Sequence, residues 1–373
     1  MIKVLVAGDF CPHHRVAELL SKGDCSFFEG VKSRIGEADY AVVNFECPVV
    51  EGEAQAIEKC GPALKTTARA VEAITAGGFD AVTLANNHFR DYGDAGCRTT
   101  LDVLKSAGLD TVGGGMNLSK AQQILYKTIR DKRLAIVNFC ENEFSIATAT
   151  QAGAAPLDLI DNIRQIREAR GNADYVLVIV HGGHEHYQLP SPRMKKLYRF
   201  FVECGADAVV NHHQHCYSGY EVYQGCPIVY GLGNFNFDWA GLRASMWNEG
   251  YCVELQFDEG STHVTILPYL QCDETPTVEW LQAEQATTFF AHLEQLNRLI
   301  GDDASLQEAF DGWVTKQQEA KLNLFASYHN RYLNAAACRG WIPRLITKRE
   351  LGAIINHIEC ESHRDVTLAA LKK

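Results

Sequence analysis

Short apolar runs alternate with amphipathic stretches along the chain up to about residue 270. The runs at residues 2–7, 41–46, 81–85, 134–139 and 175–180 are rich in valine, isoleucine and leucine, a composition typical of buried strands. A three-residue spacing of apolar side chains predicts a helix at Leu157, Ile160, Ile163 and Ile166. Because helices that follow strands pack on a mostly parallel sheet, the alternation predicts an α/β fold.

These runs share a second property, which is that polar residues suited to metal binding or proton transfer follow them directly. They are Gly8-Asp9, Glu46, Asn86-Asn87-His88, Glu141-Asn142-Glu143 and His181. Ligands of open α/β sheets bind beyond the carboxyl ends of the strands. We therefore expect these residues to form one site, although each of them alone could be a turn or loop residue.

The strongest local signal is a cluster of histidines after another apolar run, residues 206–210. His212, His213 and His215 follow within a few positions. Imidazole is a common transition-metal ligand, so the His213-x-His215 pair suggests one metal held from two adjacent positions. If the alternation of the strand persists, His212 faces the opposite side and is structural.

Composition restricts the class of protein. The chain has 373 residues, of which 46% are hydrophobic, enough for one large core or two ordinary ones. Its formal net charge is −11, and it lacks the basic stripe that a nucleic-acid backbone requires. Nucleic acid is therefore not expected as a partner, whereas a phosphorylated small molecule stays possible.

The expected location is the cytoplasm. Residues 1–9 contain too short an apolar run for a signal peptide, and no run approaches the roughly 20 residues of a membrane span. The 13 cysteines are scattered and include no Cys-x-x-Cys pair, which predicts reduced thiols rather than a disulfide framework or a zinc knuckle.

The remainder of the chain falls into two parts. A glycine-punctuated loop, residues 231–238, lacks the third glycine of a nucleotide-binding turn and is expected to bring Asn234 near the site. Residues 251–257 and 263–269 predict a hairpin. From about Pro276, helical patterns predominate; the predicted helices span residues 287–300, 305–325 and 348–357.

This last part carries no cluster with ligand spacing, so it is interpreted as an appendage that packs on the core or forms an interface. The predicted division is a domain at residues 1–272 and a helical C-terminal extension at residues 273–373.

Six ordered motifs in residues 1–270 resemble the CapA family, the bacterial capsule synthesis proteins related to poly-γ-glutamate CapA. The motifs are Gly8-Asp9, Asn44-Phe45-Glu46, Ala85-Asn86-Asn87-His88 with Asp91-Tyr92-Gly93, His181-x-Gly183-x-Glu185, Gly205-Ala206-Asp207 through His213-x-His215, and Tyr230-x-Leu232-Gly233-Asn234-Phe235. That family looks like a variant of the calcineurin-like metallophosphoesterases. The resemblance implies a two-sheet α/β sandwich flanked by helices, with a two-metal site.

The resemblance also implies roles for individual residues. Asp9 would ligate one of two divalent metals (Mn, Fe or Zn), Glu46 would bridge both, and Asn87 would ligate the second. The remaining implied metal ligands are His181, His213 and His215. Carboxylates and imidazoles suit such a pair, which acidifies a bridging water.

Other roles concern the reaction and its substrate. His88 would be the general acid, with Asp91 orienting it or capping the next helix. Arg15 is interpreted as a contact for an anionic group or as a solvated helix residue. The substrate-binding candidates are Glu185, His186 and Asn234; for His184, Glu185 and His186, charged surface is the alternative.

One position departs from the calcineurin-like pattern. Two residues after the first aspartate, where those enzymes usually have histidine, this chain has Cys11. A thiolate can bind zinc or iron, and a buried neutral cysteine fits equally well.

Three functions follow from these observations. The leading hypothesis is a metal-dependent phosphoesterase acting on a phosphorylated sugar or glycan intermediate of capsule or surface polysaccharide synthesis. The second is a metal-dependent amide hydrolase or transferase acting on γ-glutamyl bonds, and the third is a non-catalytic capsule assembly factor. Capsule-synthesis proteins are possible partners, and oligomerisation is left open.

Overall fold

The computed structural model describes residues 1–324, 330–343 and 348–371. The strands, in chain order, are β1 (Ile2–Phe10), β2 (Tyr40–Phe45), β3 (Ala81–Thr83), β4 (Asp110–Val112), β5 (Gly114–Gly115), β6 (Leu125–Ile129), β7 (Lys132–Cys140), β8 (Gly153–Ala154), β9 (Tyr175–His181), β10 (Ala208–His212), β11 (Tyr220–Tyr223), β12 (Cys226–Val229), β13 (Asn234–Asn236), β14 (Glu249–Asp258), β15 (Ser261–Gln271) and β16 (Val278–Trp280).

The helices, in chain order, are α1 (Arg15–Ser21), α2 (Glu29–Ile35), α3 (Arg69–Ala76), α4 (Gly93–Ser106), α5 (Leu118–Ala121), α6 (Leu159–Asn172), α7 (Pro192–Glu203), α8 (Ala283–Gly301), α9 (Asp303–Leu324), α10 (Arg331–Cys338), α11 (Lys348–Glu359) and α12 (Glu361–Leu371). Two short 3-10 turns lie at Ser26–Phe28 and Ala240–Leu242.

Two large sheets form the body of the protein. The first has the order β16-β15-β14-β1-β2-β3-β4, with β13 paired to the end of β1, and the second has the order β11-β12-β10-β9-β7-β6. Strands β1 to β4 are parallel, as are β7, β9, β10 and β12. The predicted two-sheet α/β sandwich is confirmed.

The sandwich is stabilised by alternate residues of the central strands. Val4 and Val6 of β1 pack with Val178 of β9 in the core between the sheets. Leu5 and Ala7 point the other way and belong to a second core beneath helices α1 to α3. Because both faces of β1 are covered, its residues 4–7 are all apolar, as expected for a central strand.

The C-terminal helices pack on this body. Phe289, Phe310, Val314 and Val366 join the core of the second sheet. The predicted hairpin and the helices near residues 287–300, 305–325 and 348–357 are present as β14–β15, α8, α9 and α11; residue 325 of the predicted second helix lies outside the described residues. Within the described residues, no helix has both the length and the apolar character needed to cross a membrane.

Candidate metal centre

The carboxyl ends of β1, β2, β9 and β10 meet at one edge of the sandwich and bring the predicted ligands together. Asp9 is the penultimate residue of β1, Glu46 directly follows β2, and His181 is the last residue of β9. His213 and His215 follow β10. Potential ligand atoms form two groups, Asp9–Glu46–His215 and Glu46–His181–His213, in each of which the atoms lie within 4.8 Å of one another.

Glu46 is common to both groups and is the most unusual residue of the site. Its side chain is fully buried, and among the described residues neither carboxylate oxygen has a hydrogen-bond partner. Oε1 lies 3.5 Å from His181 Nε2 and 3.7 Å from His215 Nε2. Burial and the neighbouring Asp9 raise the pKa of Glu46. A buried carboxylate without a partner is costly, and a cation between the histidines would satisfy it.

His181 is the centre of the second group. Its Nε2 lies 3.1 Å from Asn87 Oδ1 and 3.1 Å from His213 Nδ1, so an imidazole, an amide oxygen and a second imidazole converge. Burial and the charge of His213 lower the pKa of His181. Neutral imidazoles present nitrogen lone pairs to a cation, so this donor set fits a transition metal.

Asn44, on β2, orients the carboxylate of Asp9 and was not predicted as a site residue. Its Nδ2 donates to Asp9 Oδ1 at 2.7 Å, while its Oδ1 accepts from the hydroxyl of Thr83 at 3.1 Å. The other oxygen of Asp9 accepts from the backbone N–H of His213 at 3.2 Å. The signal for this role was an asparagine inside an otherwise apolar strand, because a buried amide needs partners.

The histidine loop after β10 has a left-handed backbone at His213 (φ 93°) and His215 (φ 55°). Asn234 Oδ1 lies 2.9 Å from His215 Nδ1, and its Nδ2 donates to the backbone carbonyls of His215 and Trp247 at 3.2 Å. Asn234 therefore orients the imidazole of His215, a predicted metal ligand, whereas we expected a substrate contact. His212 lies 2.9 Å from the carbonyl of Ala7 through Nε2 and is structural, as predicted.

His88 and Asp91 form a buried pair beside this centre. His88 Nδ1 lies 2.7 Å from Asp91 Oδ2, which also accepts from the backbone N–H of Leu64 at 2.7 Å. Lys59, whose side chain is only 3% exposed, pairs with Asp91 Oδ1 and lies 3.1 Å from His88 Nδ1. Lys59 was missed because it lies in a loop without periodicity.

A cleft of about 520 Å³ opens next to these groups. The loops after β2, β3, β7 and β9 form one side, and α9, α11 and α12 contribute Trp313, Asn356 and His363 to the other. The C-terminal extension, expected to carry no site residues, therefore forms one wall of the cleft.

Two carboxylates of the cleft lie close to the histidine loop. Glu185, which is exposed, has a carboxylate oxygen within 4.8 Å of ligand atoms of His213 and His215. Glu143, which the sequence placed among the strand-end residues without a specific role, has Oε1 3.7 Å from His213 Nε2. Burial and the charge of Glu185 raise the pKa of Glu143 to about 8.

The two other histidines of this motif differ in environment. His186 is exposed and lines the cleft. His184 also lines the cleft but is 4% exposed, and its ring packs 4.9 Å from Trp313 and 5.8 Å from Phe310. A packing role for His184 accounts for these contacts.

Arg15 has a different role from the predicted anion contact. Its Nε and Nη2 donate to the two oxygens of Asp238 at 2.9 Å, and it also donates to the backbone carbonyls of Cys272, Asp273 and Glu274. All of its nitrogen donors are engaged in the fold. Arg15 is therefore a structural ion-pair residue in this conformation.

Cys11 is fully buried beside Cys47. Burial, together with Cys47 and nearby carboxylates, raises the pKa of the Cys11 thiol. Its sulfur belongs to none of the potential ligand groups among the described residues. The arrangement favours the buried neutral cysteine over the zinc or iron ligand.

Residues 3–239 match the model of a family described as "Bacterial capsule synthesis protein PGA_cap". The chain belongs to this family. It is 34% identical over 251 residues to "Capsule biosynthesis protein CapA" of Bacillus anthracis, covering 65% of this chain and 61% of that protein. It is 35% identical over 231 residues to "PGA biosynthesis protein CapA" of Bacillus subtilis (strain 168), covering 60% of each. The chain thus spans about three fifths of the length of these relatives.

Solved structures with similar folds include two with low sequence identity. One is described as a novel phosphatase from Mycoplasma pneumoniae, with a TM-score of 0.46 and 14% identity, covering 73% of this chain and 95% of that chain. Another is a putative 5'-nucleotidase from Staphylococcus aureus, with a TM-score of 0.47 and 14% identity, covering 79% of this chain and 58% of that chain.

Proposed function

We propose that the chain is a dinuclear metal-dependent hydrolase that cleaves phosphoesters. The observation that carries the proposal is Glu46, a fully buried carboxylate whose oxygens have no hydrogen-bond partner among the described residues. It lies between His181 and His215, which belong to two different ligand groups. A single carboxylate shared in this way is what a bridging ligand requires.

The chain's own residues supply the rest of the chemistry. Asp9, Glu46 and His215 would hold one divalent ion, and Glu46, His181, His213 and Asn87 the other. When bound, a pair of Mn, Fe or Zn ions supplies Lewis-acid stabilisation and an acidified water. His88 donates a proton to the leaving oxygen, and Asp91 fixes the orientation of its ring through Nδ1.

The proposed substrate is a phosphorylated sugar or glycan intermediate of capsule or surface polysaccharide synthesis. The family description supports a role in capsule synthesis. Residues 1–272 carry the proposed metal centre, and helices α9, α11 and α12 of the C-terminal extension line one side of the cleft. The described cysteines are free thiols, which supports a reducing, cytoplasmic setting.

A second candidate is cleavage or transfer at γ-glutamyl amide bonds. It is favoured by the name of the Bacillus subtilis relative, a "PGA biosynthesis protein". A non-catalytic assembly role together with other capsule-synthesis proteins is the third.

Hydrolysis of aryl phosphate mono- and diesters by the purified, Mn(II)-loaded protein tests the proposal. His88→Ala should lower kcat by about 10²–10⁴-fold because the proton donor is lost. Its bound metal, measured by mass spectrometry, should stay unchanged. His263→Ala, an exposed histidine on β15, is the matched control and should retain full activity.

The same assay separates the candidates. Release of amine from γ-glutamyl peptides without phosphoester hydrolysis would replace the phosphoesterase by the amide hydrolase. Absence of both activities in the metal-loaded protein would leave the assembly role.

A further inference from the structure

Beside the metal centre, a thiol, an imidazole and a carboxylate meet where the C-terminal helices contact the loop after β7; the carboxylate, that of Glu143, also lies 3.7 Å from His213 Nε2. Ligand atoms of Glu143, Cys360 and His363 all lie within 4.8 Å of one another. We propose that these three residues form a separate zinc site at the cleft. This inference does not depend on the proposed hydrolase activity.

The sequence spacing of Cys360 and His363 allows both side chains to bind the same metal ion. Cys360 immediately precedes α12 and His363 lies in its first turn, three positions later. Side chains three apart project from the same face of a helix. Glu143 comes from the other side, from the loop that follows β7. Two elements remote in sequence thus contribute complementary donors to one point.

The donor set selects the metal class. Sulfur, imidazole nitrogen and carboxylate oxygen are the ligands that zinc takes in proteins, whereas magnesium and calcium prefer oxygen alone. Glu143 and His363 also line the cleft, while Cys360 is fully buried. Three protein ligands with one side towards a cleft correspond to a zinc site that keeps a position for water or substrate.

The donors are held in place by contacts that need no metal. Ser362 donates to Glu141 through its backbone N–H at 3.2 Å and its hydroxyl at 2.8 Å. Arg193 donates to Glu141 at 2.8 Å and also pairs with Asp365. These contacts fix the start of α12 against the loop.

Two amides support the donors more directly. Nδ2 of the buried Asn356 lies 3.0 Å from His363 Nδ1. The side chain of Asn142 donates to Glu361 at 2.8 Å, next to Cys360. Such outer contacts orient metal ligands and are worth roughly 10–100-fold in metal affinity. A zinc ion held by these residues would tie the C-terminal extension to the two-sheet body and would add positive charge to the cleft.

Cobalt(II) substitution of the full chain tests this site, because a cobalt–thiolate bond gives a charge-transfer absorption in the near ultraviolet. The proposed ligands of the metal centre include no thiolate, so its own cobalt does not contribute. Wild type, stripped with a chelator and reloaded with Co(II), should show the absorption, and Cys360→Ser should lose it. The matched controls Cys11→Ala and Cys60→Ser should keep it; Cys11 lies near the metal centre and Cys60 lines the same cleft.

Two further variants keep the test decisive. His363→Gln retains the thiol and should weaken Zn(II) binding at this site at least about tenfold. Glu46→Gln should disrupt the metal centre yet keep the cobalt–thiolate absorption, so failure of one site is distinguishable from failure of the other. The proposal is overturned if wild type lacks the absorption, if Cys11→Ala rather than Cys360→Ser removes it, or if a folded His363→Gln binds Zn(II) as wild type does.

Discussion

The second sheet has a cleft at each end of its parallel strands, and the two clefts differ in how their charges are satisfied. At the amino ends of β9 and β10, a cleft of about 430 Å³ is lined by Arg170, Asp174 and Asp207. Arg170 donates to both oxygens of Asp207 at 3.0 and 2.8 Å, and Asp207 also accepts from the backbone N–H of Val176 at 2.7 Å.

At the carboxyl ends, the buried groups beside the cleft of about 520 Å³ show the reverse arrangement, and one of them, Glu46, follows β2 of the first sheet. Glu46 lacks hydrogen-bond partners among the described residues. Nε2 of His181 lies 3.1 Å from Nδ1 of His213, and both imidazoles are neutral. The two clefts have similar volumes, so volume does not distinguish them. A buried carboxylate without a partner, next to imidazoles that can donate lone pairs, marks the place where a metal ion or ligand is expected to bind.

The largest effect should come from Glu46→Gln. Loss of the shared carboxylate removes several kcal/mol of charge stabilisation, so phosphoester hydrolysis should fall by roughly 1,000-fold or more. In the metal-stripped protein, however, burial and Asp9 raise the pKa of Glu46 and so penalise its ionised form, whereas the amide cannot ionise; the change should therefore raise Tm, most of all at alkaline pH. Activity assays and thermal unfolding measure both results. A lower Tm of the metal-stripped variant would contradict the view that the Glu46 carboxylate has no hydrogen-bond partner in the absence of metal.

Asp207→Ala, at the opposite cleft, should show the converse pattern. The backbone N–H of Val176 and the guanidinium of Arg170 lose their acceptor, so the free energy of unfolding should fall by about 2 kcal/mol. Phosphoester hydrolysis should be unchanged. If denaturant titration and assay instead showed a loss of activity at full stability, the amino-end cleft would be functional and the contrast would fail.

Arg15→Met should have a smaller, pH-dependent effect. Burial alone would raise the pKa of Asp238, but the hydrogen bonds from Arg15 and Arg243 lower this pKa to about 2 from an ordinary 3.8. A depressed carboxyl pKa contributes stability above pH 3.8 that is lost as pH falls towards 2. Because Arg243 remains, we expect a loss of about 1–2 kcal/mol at neutral pH.

Thermal unfolding of both proteins between pH 2 and pH 7 checks this. The difference between wild type and Arg15→Met should shrink as pH falls from 3.8 through 2 and level off below pH 2 at the part due to the hydrogen bonds from Arg15 to the backbone carbonyls. A difference that stays constant between pH 7 and pH 2 would contradict the ion pair with Asp238, and a rise in KM for an aryl phosphate at neutral pH would show that Arg15 is an anion contact.

Cys11→Ala should have the smallest effect. The thiol is buried beside Cys47 and outside the ligand groups, so the free energy of unfolding should change by less than about 1 kcal/mol. Metal content and activity should stay at the wild-type level. Loss of one metal ion per chain would show that the thiol is a ligand after all.

The sequence predicted the fold and the strand-end cluster because both depend on short-range patterns. The β-branched runs locate β1, β2 and β9, and parallel strands bring their carboxyl ends to one edge. The sequence pattern alone therefore predicts that Asp9, Glu46 and His181 lie near one another.

The missed residues depend on long-range packing. Lys59 lies in an aperiodic loop, and nothing in its sequence neighbourhood indicates that its side chain is buried against Asp91. Cys360 and His363 indicate a metal site only when Glu143 lies beside them, and Glu143 is far earlier in the chain. Arg15 was misassigned because its partner, Asp238, is equally remote.

The left-handed backbone at His213 and His215 has a consequence for engineering. Side chains other than glycine pay about 1–3 kcal/mol for such conformations, so these positions are natural targets for stabilising substitutions. Glycine at either position would relieve that strain and at the same time delete an imidazole. A library selected for thermal tolerance alone should therefore accumulate inactive proteins at this loop, unless the selection medium contains a metal ion of the kind that these histidines are proposed to bind.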